Sequence, residues 1–232
     1  MSFEAPKGTK LRHEWKHHIS PVDKAAIIAR LDVLAAPDEH YGNTSYHIRS
    51  LYFDNVYDKA LQERMNGQEV REKFRIRYYN GDASYIVLEK KSKFNHLCGK
   101  ESTRVTKEQV QRLIDGDNKW LMESGKPLCE ELYAKMRCQL LRPQVIVDYT
   151  RKAYVYEPGN VRITLDDNVR TGLGSTQMFE DVVTIPSDFT HPIILEVKYD
   201  NYFPTLIRDA VQLDSRRTTS FSKYASCRLT NF

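Results

Sequence analysis

The chain has 232 residues, 35 Lys and Arg against 31 Asp and Glu for a net charge of +4, and a hydrophobic fraction of 41%. This composition excludes a disordered or fibrous chain, and the charge total lacks the excess that marks a domain coating nucleic acid. A chain of this length buries roughly 70% of its unfolded surface, enough for a core without staples. No apolar run approaches the ~20 residues of a membrane helix, and the first ten residues carry no signal-peptide pattern. Cys98, Cys129, Cys138 and Cys227 lack metal or redox spacing. The expectation is a reduced, cytoplasmic protein.

Residues 11–19 read as a first strand. Ser20 followed by Pro21 marks a helix start for a segment running to about residue 36, with Ile27, Ile28, Leu31 and Leu34 at helical spacing. Residues 46–54 and 70–79 read as strands. Asn80-Gly81 is a hairpin turn into a further strand over 84–93. Residues 106–116 form a short capped helix, and 128–141 a longer one that stops before Pro143. Strands follow at 144–156, 161–167, weakly at 178–185, and at 192–199. Residues 205–214 are helical, and 221–230 read as a last short strand or turn. With no repeat and no linker, the expected architecture is α+β in a single domain over residues 1–232.

Alternate side chains of a strand point to opposite faces, and sorting by parity gives the informative pattern. Lys73, Arg75 and Arg77 oppose Phe74, Ile76 and Tyr78; Arg162, Thr164 and Asp166 oppose Val161, Ile163 and Leu165. Glu196 and Lys198 oppose Leu195, Val197 and Tyr199. Glu89 and Lys91 oppose Ile86 and Leu88, Glu14 and Lys16 repeat the spacing on the first strand, and Arg151 sits among Val147, Tyr149 and Ala153. An antiparallel sheet with one wet face fits such alternation too. The polar columns, however, are almost purely charged and rich in Arg and Lys. If the apolar columns pack against helices outside a curled sheet, the charges face inward, and enclosed cations need anions. The scattered Glu and Asp on these faces offer oxygen ligands for Mg²⁺ or Mn²⁺, which points to phosphate chains.

Other chemistries find less support. His13, His17 and His18 show no metal spacing, and the latter two read as solvent-facing. The 14 Tyr and 9 Phe at alternating strand positions read as packing rather than base-stacking platforms. Ser222 has no evident His and Asp partners in sequence order for triad chemistry.

Glu14-x-Lys16, Arg75-x-Arg77, Leu88-Glu89-Lys90-Lys91, Glu196-Val197-Lys198-Tyr199 and above all Phe221-Ser222-Lys223-Tyr224 resemble the catalytic domain of the vacuolar transporter chaperone family. This is the polyphosphate polymerase branch of the triphosphate tunnel metalloenzymes. The stretches Ser50-Leu51-Tyr52-Phe53-Asp54 and Arg77-Tyr78-Tyr79-Asn80-Gly81 match it as well, so the likeness runs from about Arg12 to Tyr224. It implies a closed antiparallel β-barrel tunnel with helices packed outside, gripping a triphosphate or longer phosphate chain. It assigns Lys16, Arg75, Arg77, Lys91, Arg151 and Arg162 to the gripping walls, with Arg104 and Lys100 as further basic positions. Lys223 and Lys16 would act with Arg75 and Arg77 at the reacting phosphoryl, with Lys198 and Ser222 on the substrate. Glu196 matches the metal-binding glutamate, and Glu14, Glu89 and Asp166 either assist a metal or pair with neighbouring cations. The implied activity is metal-dependent transfer of the γ-phosphoryl of a nucleoside triphosphate, ATP first, to a growing polyphosphate chain. An inorganic or nucleoside triphosphatase in the same tunnel, and a non-catalytic polyphosphate- or RNA-binding module, remain as alternatives. The single Glu beside Lys in Glu196-x-Lys198 favours the polymerase. No nucleic-acid partner is expected, and a separate membrane partner and the oligomeric state stay open.

Overall fold

The computed structural model describes residues 11–38, 44–94, 97–188, 193–211 and 218–230. Strand β1 (Arg12–Ile19) leads into α1 (Pro21–Leu34) through a reciprocal cap, in which Ser20 Oγ accepts from the Asp23 amide at 3.1 Å and Asp23 accepts from the Ser20 amide at 2.9 Å. Then follow β2 (Ala36–Pro37), β3 (Tyr46–Asp54), α2 (Lys59–Met65), β4 (Val70–Tyr79), β5 (Asp82–Phe94), β6 (Leu97–Val105), α3 (Lys107–Ile114), α4 (Trp120–Glu123) and α5 (Pro127–Gln139). The second half comprises β7 (Arg142–Tyr156), β8 (Val161–Thr171), β9 (Ile185–Pro186), β10 (Ile193–Tyr199), α6 (Thr205–Val211) and α7 (Lys223–Leu229). Asn80 and Gly81 have φ of 51° and 73°, the left-handed pair that a two-residue hairpin requires between β4 and β5.

The strands form one antiparallel sheet in the order β2-β7-β3-β4-β5-β6-β1-β10-β8-β9, and an additional β7–β8 ladder returns the sheet upon itself. β7, β3, β4, β5, β6, β1, β10 and β8 therefore make a ring. Most of its ladders are long, but among the described residues β6 meets β1 only through Arg12 with Cys98 and His13 with Leu97. The expected closed antiparallel tunnel is thus present, with one thin seam.

Two of the three apolar clusters lie on the outer face. Phe74, Ile76, Leu88 and Ile146 pack with Val110, Leu113, Leu121 and Leu132 of α3, α4 and α5. Ile163, Leu165, Leu195 and Val197 pack with Ile27 and Leu31 of α1 and Ile207 of α6. At ~1.5–3 kcal/mol for each fully buried large side chain, this covering decides which parity faces out. The third cluster corrects the expectation that every helix packs outside. Ile48, Val145, Val147 and Ile194, of the inward parity, pack with Tyr224, Ala225 and Cys227 of α7. The ring interior is therefore divided between an apolar plug and a polar cavity.

Several element readings also need correction, the short β2 and α4 among them. β6 and α2 were not expected: β6 has few apolar residues and is a strand because β5 pairs with it along its whole length. α2 buries only Leu61. Residues 178–185 are not a strand apart from Ile185, which pairs with Thr171, and 221–230 contain helix α7 instead of a strand or turn. Pro192 and residues 212–214 of the expected elements lie outside the described residues.

Candidate functional site

Parity and ring closure together bring the charged columns to one cavity of about 840 Å³. Fourteen Arg and Lys and four Glu line it, among them Glu14, Lys16, Arg75, Arg77, Glu89, Lys91, Lys100, Arg151, Arg162, Glu196, Lys198 and Lys223, and Ser222 lines it as well. Of the residues singled out from the sequence, Asp166, buried behind Arg151 and Lys223, and Arg104 do not line it; for Arg104 the cause is its place on the strand. Its register opposite Val87 puts it on the inward column, but it lies at the strand end with its guanidinium 4.6 Å from the Tyr85 ring centroid. Lys100 stands at the margin, its side chain 57% exposed.

The inward carboxylates hold these cations in place. Glu89 accepts from Arg75 Nε at 2.7 Å and lies 3.3 Å from Lys100 Nζ. Arg75 also donates to Tyr52 Oη at 2.8 Å, while Arg77 donates to Ser50 Oγ at 3.1 Å and Tyr149 Oη at 2.7 Å. Asp166, fully buried, accepts a two-pronged bond from Arg151 at 2.6 and 2.7 Å and a further bond from Lys223 at 2.5 Å. Arg162 reaches Asp38 at 2.6 Å. On β1 and β10, Glu14 lies 2.7 Å from Lys91 and 3.0 Å from Lys16, and Glu196 lies 2.8 Å from Lys198 and 3.4 Å from Lys16. Lys16 donates to the Phe221 carbonyl as well, which ties the first strand to the segment leading into α7.

Ionisation follows from this packing. Burial would raise the carboxyls of Glu14, Glu89 and Glu196, but the surrounding cations overcome it and hold all three well below the usual range. Asp166 is held at about 2 against its burial by Arg151 and Lys223. Burial likewise opposes the charge on Arg75 and Arg151, yet Glu89 and Asp166 raise both guanidiniums further. Lys73 behaves differently. Burial, with Lys91, Lys16 and Arg75 nearby, lowers it to about 7. Tyr52 is pushed up by burial but more strongly down by Arg75, Lys73 and Arg77, to about 7.

Among the described residues no three His, Cys, Asp or Glu side chains gather into a metal cage. The donor chemistry still fits a hard cation of the Mg²⁺ or Mn²⁺ type, which is commonly held by one or two carboxylates with phosphates and water completing the shell. Glu14 and Glu196 share Lys16 and Lys198 as neighbours and offer such a pair. Glu89 has its oxygens engaged by Arg75 and Lys100, with Arg77 at 3.8 Å, as Glu14 and Glu196 have theirs engaged by lysines.

Several site residues were not legible as such. Tyr149, read as packing, presents its ring to Lys223, Arg151 and Arg77 at 4.7, 5.4 and 5.8 Å, and Tyr52 does the same for Lys73 and Arg75. Both share the inward parity of Ser50 and Arg151, which was the available signal. Ser222 caps α7 by accepting from the Ala225 amide at 3.4 Å, so its first task is to place Lys223. His17 and His18 are half-buried instead of facing solvent, with the His18 ring edge-on to Phe221 at 5.1 Å.

Comparison with known proteins gives one family: the model of the VTC domain matches residues 11–232. No curated protein matches the chain. Among solved structures, the PH1012 protein of Pyrococcus horikoshii is similar with a TM-score of 0.50 at 13% identity, over 91% of this chain and 96% of that one. A provisionally named adenylate cyclase of Bacillus halodurans gives a TM-score of 0.49 at 14% identity, over 82% and 81%. At 13% identity the likeness to the PH1012 protein is one of fold.

Proposed function

The chain belongs to the VTC-domain family, and from that premise we propose that it is a metal-dependent phosphotransferase that extends polyphosphate with the γ-phosphoryl of a nucleoside triphosphate. The observation that carries this reading is the convergence of the Arg and Lys columns on one cavity inside the ring. A phosphate chain is the anion whose repeated charge suits such a lining, with Arg gripping oxygens by its fork and Lys acting as a movable point charge.

Phosphoryl transfer depends on positioning and charge neutralisation more than on a protein nucleophile. Arg75, Arg77, Arg151 and Arg162 would hold the triphosphate, with Lys91 and Lys198 along its path. Lys223 and Lys16 would orient the γ-phosphoryl for in-line attack by a terminal oxygen of the polyphosphate chain. The new P–O bond forms as the bond to the β-phosphate breaks, and the nucleoside diphosphate leaves with that oxygen. A divalent cation held by Glu196 and Glu14 would supply charge neutralisation at the phosphate oxygens.

The inward carboxylates are poor bases for hydrolysis. Glu14, Glu89, Asp166 and Glu196 are engaged by cations that keep them ionised and weakly basic, so none is suited to take a proton from water. A phosphate-chain nucleophile is already anionic and needs no base.

Purified protein incubated with ATP and Mn²⁺ should yield a ladder of phosphate chains on a gel. Free phosphate without chains would replace the polymerase reading with a triphosphatase, and neither product would leave a binding module. Lys223→Ala should abolish turnover while retaining the fold and much of the tripolyphosphate affinity. Unchanged activity would remove Lys223 from the mechanism.

A further inference from the structure

The cations of the cavity fall into two groups. Lys16, Arg75, Lys91, Arg151, Lys198 and Lys223 each have a carboxylate within 4 Å. Lys73, Arg71, Lys93 and Arg64 line the same cavity, and among the described residues none of them has such a partner; Arg71 donates only to the Gln68 carbonyl.

The second group is continuous and leads outward. Lys73 lies deepest, opposite Lys91 in the β4–β5 register, and the next inward pair toward the strand ends is Arg71 opposite Lys93. Arg71 is the second residue of β4 and Lys93 the last but one of β5, so this pair sits at the rim of the ring. Arg64, from the last turn of α2, completes the set. Like charges directly opposite in a sheet are destabilising, and here two such pairs follow one another. By contrast, the next inward pair, Arg75 opposite Glu89, is a matched one. Burial and the mutual repulsion of these cations depress Arg64 and Lys93, with Arg71 contributing to both. An arrangement that costs stability in the free protein and points along one line fits an extended polyanion.

We infer that Lys73, Arg71, Lys93 and Arg64 form a docking track that carries the part of a phosphate chain extending past the carboxylate-paired cations to the mouth of the cavity, between α2 and the β4–β5 strand ends. The inference rests on the proposed function for the nature of its ligand. It goes further in predicting that affinity depends on chain length: tripolyphosphate would be held within the cavity by the carboxylate-paired cations, and only a longer chain would reach the rim.

The test is calorimetric titration of wild type and of the Arg71→Gln/Lys93→Gln double variant with tripolyphosphate and with long-chain polyphosphate, the melting temperature serving as a check on the fold. The double variant should lose about tenfold in affinity for the long chain, with a shallower salt dependence, as expected when cations facing a polyanion are removed. Its tripolyphosphate affinity should stay within about twofold, because those rim charges lie beyond a short chain. Arg64→Gln should show the same selectivity if the double variant melts early. Equal losses for both ligands, no loss for either, or single-stranded RNA competing as well as polyphosphate would overturn the track. The synthesis assay separates this result from the proposed reaction: wild type that prefers long chains but makes none from ATP refutes the reaction, whereas wild type that makes chains without this selectivity refutes the track.

Discussion

Asp166 shows how single residues set the charge state of the site. It is fully buried, yet it stays ionised because Arg151 and Lys223 hold it at about 2, below its usual 3.8. A carboxyl whose folded value is depressed contributes stability above its unfolded value and loses that contribution as pH falls through the folded one. The Asp166 contribution should therefore be complete above about pH 4 and disappear toward pH 2. Asp166→Asn leaves two buried cations without their partner and should cost about 3–5 kcal/mol, read as a lowered denaturation midpoint. The variant should also lose that portion of the acid sensitivity, and an unfolding free energy within about 1 kcal/mol of wild type would contradict this role. The positions of Arg151, Lys223 and Asp166 were legible from parity and resemblance. That Asp166 pairs with cations was one of its two readings; which cations was not legible, because the cluster joins β7, β8 and α7.

At the scale of elements, α7 is the part that sequence reading missed and the site most needs. Its buried residues Tyr224, Cys227 and Arg228 recur at i, i+3 and i+4 behind an Ser222 cap, a helical signal that the expected strand concealed. Tyr224 anchors it: the hydroxyl donates to Asp54, and the ring stacks on Tyr52 at 5.3 Å. Asp54 also accepts from the Ala60 and Leu61 amides at the start of α2, at 2.8 and 3.1 Å, so one carboxylate secures both helices. α2 was hidden for that reason, since its cap comes from the end of β3 while Asp58, directly before it, makes no side-chain cap. Tyr224→Phe removes one buried hydrogen bond and should cost about 1–3 kcal/mol. It should also lower kcat through misplacement of Lys223, with tripolyphosphate affinity changed less. Wild-type kcat in a destabilised variant would show that α7 stabilises the fold without placing the lysine.

For the whole molecule, closure of the sheet converts a periodicity into a site. The same alternation of charged and apolar residues would describe an open sheet with one wet face, and only the β7–β8 and β6–β1 ladders decide that the wet face is interior. The sequence pattern implied that closure through the need to cover the apolar columns, which α1 and α3 to α6 do. It did not reveal the apolar plug, because Ile48, Val145, Val147 and Ile194 share the inward parity with the cations and differ only in depth along the ring. A crystal structure of the protein with tripolyphosphate and Mn²⁺ tests the central claim most directly. The account predicts the anion threaded inside the ring with its oxygens on Arg75, Arg77 and Arg151; a chain bound only on the outer surface, with these guanidiniums still turned to their carboxylates and tyrosines, would contradict it.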